Sequence, residues 1–244
     1  MSLVSYKMTN DSGFAPNPFH GYLTLATCKP GIRRSGNRRI GDWIAGFTSA
    51  SLCGDPVGGE RLVYLMQVDE ILPIEEYFRD HRFQVKIPRK GSPDTIHRAG
   101  DNIYRPLVDA PSDGSDYEQI PNDSHPPASK EHDVGGRNVL VAHPGHYFYF
   151  GSNALDIPRS LRPDVPVGQS GYGKITSDPL RTEDFIAYVT EAFDPTLGEF
   201  PDGLNGWPHS TCGRVGSFSP LESNDLPRQY ASERGVRRRA GCAR

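Results

Sequence analysis

Trp43, Tyr64, Phe148 and Tyr149 stand in apolar, β-rich runs, and Asn17 and Asn102 stand in loops carrying Pro and Gly. An aromatic face with one or two amides beside it can read an unstacked nucleic-acid base, by stacking and by hydrogen bonds to its edge. Stacking on one ring is worth about 1–3 kcal/mol per base. Lys29, Arg33 and Arg34 follow one of the strand-like runs and suit phosphate oxygens. The same residues have plainer uses. Alternating aromatics fill a β core, and an Asn between Pro16 and Pro18 is more often a turn residue than a ligand.

A second chemistry is nucleophilic. Cys28 is followed by Lys29, and a cation beside a thiol lowers its pKa. His20, His143 and His146 are the candidate bases, His143 foremost. The plain reading of a strand-end Cys is a small apolar residue. His143 and His146 also have the two-residue spacing of metal ligands, with Pro144-Gly145 expected to form a hairpin turn that sets the imidazoles on neighbouring strands. Without a second close His or Cys pair, no metal and no other cofactor is assigned. Gly171 and Gly173 lack a third Gly and a clear preceding strand, which argues against a dinucleotide fingerprint.

These residues need elements to place them. The central stretch runs from Arg39 to Leu72: a Gly41-Asp42 turn leads Trp43 and Ile44 into a buried strand, and Arg61 to Val68 is a second β-rich run. Between them residues 48–60 are rich in Ser, Thr, Cys and Gly and read as a loop. Further strands are expected at Leu3–Met8, Gly21–Cys28, Asn138–Ala142 and Tyr147–Phe150, and a short helix at Pro73–Asp80. A longer helix is expected at Thr182–Phe193, with Thr182 as N-cap and Asp194-Pro195 as its stop. The stretch from Arg89 to Gly136 is poor in branched apolar residues and reads mostly as loop.

Composition bounds the rest. The chain has 244 residues with 36% hydrophobic, and its 26 Gly and 22 Pro predict long loops around one compact core. No run is long and apolar enough for a membrane span, and no secretory signal is read at the N-terminus. Cys28, Cys53, Cys212 and Cys242 show no paired spacing, so a reduced, cytoplasmic setting is expected. Net charge is −3 but uneven: no acid lies between Asp11 and Asp42, where Lys29, Arg33, Arg34, Arg38 and Arg39 cluster. Asp101 to Asp133 is acidic, and six Arg after residue 227 face one Glu in a segment expected to be disordered.

The chain resembles the family called nucleotide modification associated domain 2, found in bacteria and phages. The motifs that carry the likeness are Gly13-Phe14-Ala15-Pro16-Asn17-Pro18-Phe19, Leu25-Ala26-Thr27-Cys28-Lys29-Pro30 and Gly41-Asp42-Trp43-Ile44. Arg61-Leu62-Val63-Tyr64, Tyr77-Phe78, Gly100-Asp101-Asn102-Ile103-Tyr104 and Tyr147-Phe148-Tyr149-Phe150-Gly151 follow in order. The order of Gly-Asp-Trp-Ile and Arg-Leu-Val-Tyr is also similar to PUA-like barrels of EVE and YTH type, which hold a modified base in an aromatic pocket. The resemblance implies an α+β fold, a small mixed or antiparallel PUA-like β-barrel with a few short helices and long loops. Residues 1–195 are expected to be one domain and 196–244 an extended basic tail. With the residues of these motifs, the candidate base-binding set is Asn17, Phe19, Trp43, Tyr64, Asp101, Asn102, Tyr104 and Tyr149. The expected function is recognition of a nucleotide or modified base within a modification system. The partners are a nucleotide or nucleic acid, DNA foremost, and a base-modification enzyme. The alternatives are an enzyme using Cys28 with a His or Asp, and a non-catalytic subunit that docks on a modification enzyme.

Overall fold

The computed structural model describes residues 1–192 apart from 35, 124, 169 and 170, together with 206, 208 and 209. The strands are β1 (Leu3–Lys7), β2 (Leu23–Leu25), β3 (Trp43–Phe47), β4 (Leu62–Gln67), β5 (Glu70–Pro73), β6 (Tyr104–Pro106), β7 (Tyr117–Gln119), β8 (Asn138–Ala142), β9 (Tyr147–Tyr149) and β10 (Lys174–Ile175). The α-helices are α1 (Pro30–Arg33), α2 (Ala50–Cys53), α3 (Ile74–Arg79), α4 (Thr95–Arg98), α5 (Lys130–Val134) and α6 (Pro179–Ala192). The first sheet has the order β10-β1-β3-β4-β9, the second β2-β8-β5, and β6 pairs with β7. Only β1 and β3 run parallel among these pairs; every other ladder is antiparallel. The fold is mixed α+β, and the described strands make three separate sheets rather than one closed barrel.

Side-chain alternation decides which layer each residue enters. Val4 and Tyr6 of β1, Ile44 of β3, Met66 of β4, and Tyr147 and Tyr149 of β9 meet Leu23, Leu25, Leu140 and Ala142 of the second sheet. That is the space between the two sheets. The opposite faces point outward. Leu3, Trp43, Phe47, Leu65 and Phe148 pack with Phe185 and Val189 of α6. Val139 and Val141 pack with Ile74, Tyr77, Phe83, Phe14 and Tyr104. The β3–β4 register slips at Gly46/Phe47. There Gly46 lies under the Tyr64 ring, and a Cβ on Gly46 would come within 2.2 Å of it, so a glycine is required.

Several expectations need correction. The loop after β3 contains α2, capped by the Ser49 Oγ, which accepts from Leu52 N–H at 3.2 Å. The strand read at Gly21–Cys28 is only Leu23–Leu25, because Cys28 and Lys29 turn into the left-handed region at φ 54° and 42°. The long helix begins a turn before Thr182: Asp178 Oδ1 accepts from Leu180 N–H at 3.0 Å and Pro179 opens α6. Its expected stop at Asp194-Pro195 lies outside the described residues, as does most of the tail. Of that tail, Gly206, Pro208 and His209 are described, and Pro208 and His209 return to the N-terminal loop. Residues 89–136 are mostly loop and turn, and α4, the β6–β7 pair and α5 punctuate them. Polar side chains hold this segment where apolar ones are scarce: Asn122 Nδ2 donates to the Gly100 carbonyl at 2.8 Å, and Lys130 Nζ to the Tyr117 carbonyl at 3.0 Å.

Candidate functional site

The loop from Asp11 to Phe19 organises one half of the candidate residues, because its polar side chains point inward. Asn17 is 1% exposed. Its Nδ2 donates to the Ala99 carbonyl at 2.9 Å, and its Oδ1 accepts from Phe19 N–H at 3.2 Å. Lys86, also 1% exposed, donates to Asn17 Oδ1 at 2.8 Å, to the Tyr22 carbonyl at 2.8 Å and to Thr24 Oγ1 at 2.9 Å. Thr24 and Tyr77 in turn donate to the two oxygens of Asp101, at 2.6 and 2.7 Å. Asn102 Nδ2 donates to the Phe83 carbonyl at 3.0 Å. Burial lowers the Lys86 pKa to about 8, against the pull of Asp101, and burial raises that of Asp101. The structure therefore brings Asn17, Asp101 and Asn102 into one satisfied buried region, with Phe19 at its edge. Sequence reasoning missed Lys86, since one Lys between Val85 and Ile87 carries no motif.

The second group surrounds Cys28. Its backbone N–H donates to Asp133 Oδ1 at 2.8 Å, and its carbonyl accepts from Arg33 Nε at 2.7 Å. These two bonds hold the left-handed pair in place. Arg33 is fully buried, and its other nitrogens donate to the carbonyls of Asn138 and Asp133, each at 2.6 Å. Tyr104 donates to Asp133 Oδ2 at 2.9 Å, and His125 Nε2 lies 2.6 Å from the same oxygen. Burial, followed by the Asp133 carboxylate, pushes the Cys28 thiol up to about 12, outweighing Arg33, Thr27 and Lys29. The arrangement favours the thiol over the thiolate, the reverse of what a nucleophile needs. His143 and His146 stand elsewhere, paired to Glu70 at 2.5 Å and Asp69 at 2.7 Å. Their strands β8 and β9 lie in different sheets, so the Pro144-Gly145 turn is a crossing between sheets and not the hairpin expected.

The aromatic candidates divide between the two sides of the first sheet. Tyr64 is fully buried and donates to the Tyr6 hydroxyl at 2.8 Å. Tyr149 donates to Asp11 Oδ1, whose other oxygen accepts His209 N–H at 3.1 Å. Trp43 is 7% exposed and packs with Phe148 beneath α6. As placed, these rings are core. The accessible candidates are the cations. Arg34 is exposed and Lys29 partly so, the latter with its Nζ 4.8 Å from the Tyr6 ring centre. Tyr172, 65% exposed, lies against α1: a Cβ on Gly31 would come within 2.5 Å of its ring. Sequence reasoning missed Tyr172, whose only signal was its place between two Gly.

The chain matches the family model described as nucleotide modification associated domain 2 over residues 1–202. No curated protein and no solved structure matches it.

Proposed function

Because the chain belongs to the nucleotide modification associated domain 2 family, we propose that it recognises a nucleotide or a modified nucleic-acid base, DNA foremost, within a cytoplasmic modification system. The observation that carries the reading is the surface around α1. Lys29 and Arg34 flank this helix and Arg39 is exposed beyond it. The exposed Tyr172 ring rests on Gly31. Cations that reach phosphates beside an open aromatic ring form the usual platform for single-stranded or splayed nucleic acid. Arg33 is the support of this platform and not part of its face, because its donors hold backbone carbonyls. Asn17, Phe19, Asp101, Asn102 and Tyr104 act behind it as the frame, with the two facing sheets standing in for a PUA-like barrel.

The plain alternative for these cations is an ordinary solvated surface. Against the Cys28 enzyme reading, the neighbouring Asp133 carboxylate already accepts from the Cys28 backbone N–H and from Tyr104, and the thiol pKa is raised. A modification enzyme fits as partner through the acidic segment, where Asp109 is fully exposed and Glu118 half exposed.

The test is a binding series of the full chain against modified and unmodified oligonucleotides and free nucleotides across salt concentrations. Log affinity should fall with log salt, and Arg34→Gln and Lys29→Gln should each flatten the slope by roughly one. A salt-independent affinity, or slopes that neither substitution moves, would overturn the assignment to this face.

A further inference from the structure

Two chain crossings between the sheets meet at one corner: Val68-Asp69 between β4 and β5, and residues 143–146 between β8 and β9. His146 N–H donates to the His143 carbonyl at 3.0 Å and closes the second crossing as a tight turn, with Gly145 at φ +88°. Asp69 serves both histidines. Its Oδ2 accepts the backbone N–H of His143 at 2.7 Å, and its Oδ1 lies 2.7 Å from His146 Nδ1. The His143 ring is held separately, with Nε2 at 2.5 Å from Glu70 Oε1. Glu70 is fixed from its far side by Arg82, at 2.7 and 2.9 Å. Each imidazole thus has one ring nitrogen on an oriented carboxylate. Among the described residues nothing hydrogen-bonds the other nitrogen, Nδ1 of His143 or Nε2 of His146. The side chains are 42% and 52% exposed.

From this arrangement we propose that His143 and His146 bind a divalent transition-metal ion of the zinc and nickel class. A carboxylate on the second nitrogen is the support metal-ligating histidines use: it fixes the tautomer, aims the ring and raises its basicity. The local charge agrees. Glu70 and Asp80 share the one Arg82 guanidinium, and Asp69 adds a third carboxylate at the same corner. Among the described residues no set of three or more His, Cys, Asp or Glu converges as ligands. The proposed site takes the two imidazoles as its only protein donors among the described residues, with water or a substrate oxygen in the remaining positions. Imidazole selects zinc, nickel and copper over magnesium and calcium, which take oxygen ligands. The plain competitor is that the two ion pairs simply staple the corner. The inference stands apart from the nucleotide reading.

Ni2+ is titrated into the full chain by calorimetry, with Mg2+ as the comparison and circular dichroism as the check on folding. One ion should bind tightly enough to measure, Mg2+ should not compete, and His143→Ala and His146→Ala should each abolish that phase. Asp69→Asn, acting as a positioning change, should weaken it about 10–100-fold, and His97→Ala should leave it unchanged. If the His variants fail to fold, imidazole NMR signals of the unaltered chain decide: Ni2+ should broaden His143 and His146 first. Binding that survives both His substitutions, equal competition by Mg2+, or first broadening at other histidines would each overturn the site.

Discussion

Lys86 Nζ lies 2.8 Å from the side-chain oxygen of Asn17 and 3.0 Å from its backbone oxygen, so one buried cation holds both ends of one loop residue. This pair ties the Asp11–Phe19 loop to the segment following α3. Breaking a buried, hydrogen-bonded charge network by removing one partner typically costs about 3–5 kcal/mol. Lys86→Met should lower the stability of the fold by that amount, read as a shift in the urea midpoint. Asp101→Asn in the same background should recover part of the loss, because it removes the carboxylate left without its counter-charge. An unchanged midpoint for Lys86→Met would refute the anchoring role.

Cys28 supplies a pH prediction. Its folded pKa, about 12, lies above its ordinary value of 9.0. The folded state keeps the proton that the unfolded state loses, so the stabilisation is fully present below pH 9 and is lost as pH rises toward 12. Compared with Cys28→Ala, the unaltered chain should therefore lose stability more steeply across that window. Alkylation of Cys28 in the folded chain should be very slow near neutral pH. Rapid alkylation there would restore the nucleophile reading.

Adjacent arginines should separate cleanly. Arg33→Ala removes the bonds to Cys28, Asn138 and Asp133 and leaves buried carbonyls unpaired, at about 1–3 kcal/mol for each group left unsatisfied. Arg34→Ala touches an exposed residue and should change stability by less than about 0.5 kcal/mol. In polyanion binding the order should reverse among folded samples, with Arg34→Ala the more damaging. Thermal melts and salt-dependent binding on the same preparations check both halves.

Trp43→Ala should cost about 3–5 kcal/mol, as for large core aromatics, because its ring fills the layer beneath α6. If Trp43 instead stacks a base, the folded fraction of this variant should lose a further 1–3 kcal/mol or so of nucleotide affinity. Chemical denaturation alongside binding distinguishes the two.

The sequence by itself determined the α+β class, the β3–β4 hairpin around Trp43 and Tyr64, the strands near residues 140 and 148, and the amphipathic helix carrying Phe185 and Val189. Apolar alternation and helical spacing are local, so they are legible without the fold. It also held the motifs that place the chain in its family. It did not tell which aromatic face is open. Tyr64, Trp43 and Tyr149 have the same composition whether they line a pocket or a core, and only the packing of two sheets and α6 decided that they are buried. Nor did it distinguish Arg33 from Arg34. Two of the three carbonyls that sequester Arg33 come from residues about 100 positions away, and no local pattern encodes a partner at that distance. The same reason hid Lys86, whose charge is made tolerable by Asn17, Tyr22 and Thr24. It also hid the corner where Asp69 and Glu70 meet His143 and His146. Sequence proposed the residue types; long-range pairing of strands decided which became frame and which became surface.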